Sequence, residues 1–155
     1  MTSILHTFDS SDMTALPDPH HQPEFYAAVP TKRLIAWIVD TAIVFAICLL
    51  ISLLTLFAGL FIWVALWLVV GFAYRVVTIS RGSATWGMRL CAIELRDSRG
   101  ERLDSGQALM HTLGYSVSVA IPVIQVASIV LMLITERKQG VTDLILGTVM
   151  LNRRM

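Results

Sequence analysis

From Leu34 to Tyr74 the chain carries a single charged side chain, Asp40, in a background of Leu, Ile, Val, Ala, Phe and Trp. Pro30-Thr31 opens a helix with Lys32 and Arg33 at its mouth, and Leu34 to about Phe57 supplies the roughly 20 apolar residues that a membrane-crossing helix needs. Gly59 marks a turn. Phe61 to about Ile79 repeats the apolar pattern, with Trp63 and Trp67 one turn apart, where aromatic rings anchor at a membrane surface. A hairpin of two transmembrane helices is expected.

The pattern changes after Arg81. Cys91, Ile93 and Leu95 alternate with Ala92, Glu94 and Arg96, a period of two that predicts a half-buried strand. Asp97-Ser98-Arg99-Gly100 is turn chemistry, so a small cytoplasmic β-hairpin is expected over about 89–103. Asp104 followed by Gln107 fits a capping box, and the helix it opens runs through His111 into the uncharged stretch from Leu113 to Ile134. That stretch permits two readings: one further span, or two short helices broken at Pro122 that dip in and return. The second keeps Glu136-Arg137-Lys138 and the C-terminus inside, in accord with the positive-inside rule. Val149 and Leu151 alternate like a strand, for which the hairpin is the available sheet. Residues 1–29 hold three of the five prolines and three of the four histidines with little apolar period. They read as a disordered cytoplasmic tail whose Phe25 and Tyr26 touch the interface.

Composition places the whole. With 55% hydrophobic and 15% charged residues and a mean hydropathy of +0.70, the chain lies outside the range of soluble domains and reads as an all-α membrane protein with spans at about 34–57, 61–79 and 113–134. The lipid bilayer is its first partner. A length of 155 residues is too short to enclose a wide aqueous path alone, so a homo-oligomer or another membrane protein is expected beside it. The loop between the first two spans is uncharged, whereas Lys32, Arg33, Arg75, Arg81, Arg89, Arg96, Arg99 and Arg102 flank their other ends, which puts those ends in the cytoplasm. No nucleic-acid signal is present. Cys48 and Cys91 suggest no disulfide, and His20-His21 beside Asp18 lacks further metal-ligand spacing. With no nucleophile–base pair or phosphate loop, neither enzyme activity, cofactor nor metal is expected.

The candidate chemistry is ionic. A carboxylate in hydrocarbon costs about 2.5–3.5 kcal/mol on insertion scales, so Asp40 needs a partner or a use. Arg33 lies on the same helix face seven residues earlier, about 10 Å along the axis, too far for direct pairing. Antiparallel geometry brings Arg75 to a comparable depth, which makes it the first candidate partner. Asp40 is then either a protonatable site on an ion or proton path or a buried pair that fixes helix register. Asp143 precedes an apolar turn closed by Gly147 and either caps a short helix or joins a cluster with Arg33. Ser116, Ser118, Gln125 and Ser128 read as close-packing residues rather than a polar path. His111 stands alone and reads as interfacial.

In order around two spans stand Arg33, Asp40, Thr85-Trp86-Gly87-Met88-Arg89 and Thr142-Asp143-Leu144-Ile145-Leu146-Gly147-Thr148. Over residues 31–152 this arrangement resembles the RDD family of small bacterial membrane proteins. Met88 stands where that family commonly has lysine, and Thr142 where a histidine commonly precedes the second aspartate. The resemblance implies a small bacterial membrane protein for which transport of ions or small ligands is the usual proposal. The charges themselves point to a bacterial inner-membrane protein moving ions, protons or a small solute by a buried cluster of Arg33, Asp40 and Asp143, with Arg75 as a candidate partner. The alternative is a structural or regulatory membrane module that transports nothing.

Overall fold

The computed structural model describes residues 15–153. Helix α1, Val29–Leu54, begins with proline in its first turn, where the missing N–H would have had no helical partner. It buries Ala36, Asp40, Val44, Cys48 and Ser52, a stripe of residues four apart. Leu34, Ile38 and Leu50 face outward and are more than half exposed. The chain turns over at Leu56 and Phe57, both left-handed, and through the short helix α2, Ala58–Phe61. A Cβ on Gly59 would stand 2.6 Å from Ser52 Oγ, so glycine lets this turn close on α1. Helix α3, Trp63–Gly82, returns. Trp63 and Trp67 meet Phe45 edge-on at 5.7 and 6.4 Å, so the aromatic belt also staples the two helices together.

Helix α4, Trp86–Leu90, leads into strand β1, Ile93–Arg96. The hairpin expected over 89–103 does not form. β1 instead pairs antiparallel with β2, Val149–Asn152, with Leu95 opposite Met150. The local return is diverted at both ends: Glu101 closes a tight turn with Asp97, and the Leu103 N–H goes to Ser83 Oγ at 2.7 Å. The Leu95 N–H is taken by the Ser83 carbonyl at 2.7 Å. The final strand therefore takes the free edge and buries Val149 and Met150 with Ile93 and Leu95.

Helix α5, Ser105–Ala120, is capped reciprocally by Asp104 and Gln107 at 2.8 and 3.1 Å. Helix α6, Pro122–Ile134, follows after one residue and is bent from α5 by 114°. Leu113 to Ile134 is thus two helices broken at Pro122 and not one continuous rod. Helix α7, Val141–Leu146, ends on the left-handed Gly147. Among the described residues, α1 and α3 are long and apolar enough to cross a membrane, and α5 with α6 makes a third candidate if the bent pair is one span.

Part of the expected tail is packed against the rest of the chain. Residues 1–14 lie outside the described residues. Residues 15–29 are docked, however: Leu16 and Tyr26 are buried with Val149 and Leu151, the Tyr26 hydroxyl donates to the Pro17 carbonyl at 2.7 Å, and Asn152 Nδ2 donates to the Glu24 and Ala27 carbonyls. Tyr26 packs inside the protein, where its hydroxyl finds an acceptor, and not at a lipid interface. Lys32 also reaches Asn152 Oδ1, at 2.8 Å. The start of α1, the end of α3 and both strands share one end of the molecule.

Candidate functional site

Asp40 sits in the middle of the buried stripe of α1 and is 2% exposed. Its Oδ1 accepts from the Tyr74 hydroxyl at 2.6 Å and the Gly87 N–H at 2.8 Å, and its Oδ2 accepts from the Thr85 hydroxyl at 2.6 Å. Thr85 is the N-cap of α4 and also accepts from the Met88 N–H. One carboxylate thereby ties α1 to α3 and to the first turn of α4. A Cβ on Gly87 would lie 2.3 Å from the Ala36 carbonyl oxygen, which shows how closely α4 approaches α1. The expected ion pair of Asp40 with Arg75 or Arg33 is absent. Three neutral donors satisfy the acid, and each of the two arginines points elsewhere.

Arg33 meets Asp143. Its guanidinium lies 2.6 Å from Asp143 Oδ2, while His111 Nε2 lies 3.0 Å from Oδ1. The same carboxylate accepts from the Gly140 N–H at 3.1 Å and the Thr148 hydroxyl at 3.2 Å. Asp143 thus reaches back to the start of α7, as a helix-capping acid would, and joins an ionic cluster as well. It is fully buried. Burial alone would raise its pKa, but the Arg33 charge and the His111 hydrogen bond outweigh that and hold the carboxyl well below the usual carboxylate range.

His111 is neither solitary nor interfacial. It is 5% exposed, and its Nδ1 is buried with no hydrogen-bond partner among the described residues. The signal for it was helical: His111, Tyr115 and Ser118 recur along one face of α5 at steps of four and three. Arg75 reaches that same face. Its Cζ stands 3.9 Å from the Tyr115 ring centroid, a cation–π geometry, and one of its nitrogens donates to the Tyr115 hydroxyl at 3.2 Å. The Trp37 indole N–H donates to that hydroxyl too, at 2.9 Å.

Arg33, Asp40, Arg75, His111, Tyr115 and Asp143 all line one cavity of about 630 Å³ among α1, α3, α5, α6 and α7, within the size range of small-molecule sites. Around it the small polar residues are partly spent on packing: Ser118 Oγ donates to Gln125 Oε1, and Ser128 Oγ accepts from the Val141 N–H. No group of three or more His, Cys, Asp or Glu side chains suited to a metal occurs among the described residues.

The RDD family's sequence model matches residues 27–147. This chain belongs to the RDD family. No curated protein and no solved structure matches it. With its long apolar helices, RDD membership marks it as a membrane protein. The stretches that carried the RDD resemblance divide in space: Asp40 is joined to Thr85 and Gly87, and Arg33 to Asp143. In place of a histidine at Thr142, this RDD chain has His111 from α5 against the second aspartate.

Proposed function

We propose that this RDD protein is a multi-pass protein of the bacterial inner membrane that moves protons or a small solute by way of the cavity, with Arg33, Asp143 and His111 as its working ionic cluster. The observation that carries the reading is His111. Its Nε2 is fixed on Asp143, its ring is part of the cavity lining, and its Nδ1 is buried with no hydrogen-bond partner among the described residues. A buried imidazole so held keeps one ring nitrogen uncommitted beside an ionised pair, an arrangement a proton relay can use. The charged groups lining the same space are Arg33, Asp143, Arg75 and Asp40. The reading is of a carrier or channel and not an enzyme, assembled with further copies or another membrane protein. Its N-terminus, Arg-rich loop and closing strand face the cytoplasm, because Lys32, Arg81, Arg89 and Arg96 gather at the end of the molecule where β1 and β2 pair.

Purified protein in liposomes with an entrapped pH dye tests this. Wild type dissipates an imposed pH gradient or takes up solute, and His111→Gln stops it while leaving the melting temperature within a few degrees. Flux equal to wild type in the folded variant overturns the role of His111. A second reading, a structural or regulatory module, draws on Asp40, whose oxygens are wholly engaged in bracing helices. Absence of flux from the folded wild type would favour it.

A further inference from the structure

Arg75 lies inside α3, seven residues before its end at Gly82, at a depth where a cation is retained only with a partner or a use. Its contacts among the described residues are the ring and hydroxyl of Tyr115. No carboxylate pairs with it, because both candidates are engaged: Asp40 by Tyr74, Thr85 and Gly87, and Asp143 by Arg33, His111, Gly140 and Thr148. Of the five guanidinium N–H groups, one is bonded. Tyr115 adds a second, independent sign. Its oxygen already accepts from Arg75 and from Trp37, which fills both lone pairs and leaves its own O–H to donate, and no described residue accepts it. A half-buried cation and a free hydroxyl donor therefore converge at the cavity with no acceptor between them among the described residues. Leu34, Val119, Ile129 and Leu133 supply apolar wall beyond this polar corner.

We propose that the cavity binds an anionic amphiphile, a carboxylate or phosphate head on Arg75 and the Tyr115 hydroxyl with an alkyl tail along the apolar wall. Arginine's planar fork matches both heads. A small hydrated anion would leave that wall uncovered, and a neutral alkane would leave the donors unanswered. The proposal deepens the transport reading by naming a ligand class for the same cavity, and it does not use the His111 nitrogen.

The test is ligand-dependent thermal stabilisation of the full chain in a neutral detergent, with octanoate, octyl phosphate, octanol, acetate and inorganic phosphate as probes. Octanoate or octyl phosphate should raise the melting temperature in a saturable way, while octanol, acetate and inorganic phosphate at equal concentration do not. Arg75→Gln should weaken octanoate binding at least tenfold, Arg75→Lys less, and the exposed Arg99→Gln not at all. Phosphatidylglycerol retained by purified wild type and lost from Arg75→Gln, read by native mass spectrometry, would mark a bilayer lipid as the source. Stabilisation by octanoate alone, with no retained lipid, would mark a free acid. Either result supports the proposal. Octanol acting as well as octanoate, acetate or inorganic phosphate acting equally, or undiminished octanoate binding by Arg75→Gln would overturn it. Should Arg75→Gln not fold, the probe series on wild type decides. Octanoate binding with no flux upholds the ligand and strikes the transport reading; flux with no octanoate binding does the reverse.

Discussion

Replacing Asp40 by leucine and by asparagine separates a brace from a titrating site. Leucine removes the acceptor of the Tyr74 and Thr85 hydroxyls and of the Gly87 N–H. The hydroxyls can rotate toward other acceptors, but the Gly87 N–H is fixed at the first turn of α4. Each buried donor left unsatisfied costs about 1–3 kcal/mol, so the leucine variant should lose about 3 kcal/mol or more. For a chain of this size that lowers the melting temperature by roughly 6–12 °C. Asparagine keeps one carbonyl oxygen for Tyr74 and Gly87 and turns its amide toward Thr85, whose hydroxyl can accept. Its cost should be about 1 kcal/mol, the net value of one hydrogen bond. The assay is unfolding in mild detergent with a thiol-reactive fluorogenic dye, on a Cys91→Ser background so that the fully buried Cys48 alone reports. Equal melting of the two variants would refute the reasoning. If both match wild type, the three bonds do not hold the helices. If asparagine falls as far as leucine, the negative charge itself is required. Normal flux through a well-folded asparagine variant would show that Asp40 need not titrate.

Gly87→Ala should destabilise by about 1–3 kcal/mol, the usual cost of overpacking, because its Cβ meets the Ala36 carbonyl oxygen at 2.3 Å; Gly71→Ala, whose Cβ finds only Val44 at 3.8 Å, should be neutral or slightly stabilising in the same melt. Asp143 is held below its ordinary pKa in the folded state, so its contribution is present above about pH 4, the unfolded value, and is lost as pH falls below that and through the folded value. Melting temperatures from pH 7 to 3 should therefore fall more steeply for wild type than for Asp143→Asn, and parallel curves would count against the Arg33–Asp143–His111 cluster as an ionised one. Cysteine labelling placed just after Asn152 should report the cytoplasmic side, and a periplasmic label would reverse the orientation proposed for both strands.

Charge in an apolar run made Asp40 legible, since no background of Leu and Val hides a carboxylate. Its partners were not legible, because Tyr74, Thr85 and a backbone N–H carry no charge to balance against it. Arg33 and Asp143 were visible as charges, and each had several candidate partners until α7 was seen against the mouth of α1. Both strands were readable from their period of two. Their meeting in one sheet was readable too, but as an addition to a local hairpin, because Asp97-Ser98-Arg99-Gly100 is good turn chemistry and nothing local reveals that Ser83 draws the returning backbone away. Pro122, having no N–H to give, made the break one of two readings of its run, and a missing N–H alone does not decide between a kinked span and two separate helices. His111 was misjudged because a histidine among uncharged residues has no nearby acid in sequence, whereas in space the acid arrives from 32 residues downstream.

The pairing of Arg33 with Asp143 spans 110 residues, and that distance has a consequence for biogenesis. Helix α1 is synthesised long before α7 exists, so the nascent first helix must wait without Asp143 for its guanidinium, whose long stem would let it snorkel to water from a bilayer. The β1 edge waits in the same way for β2. Closure of the cluster therefore cannot precede synthesis of α7, and until then a chaperone or protease would meet an unlatched α1–α3 hairpin.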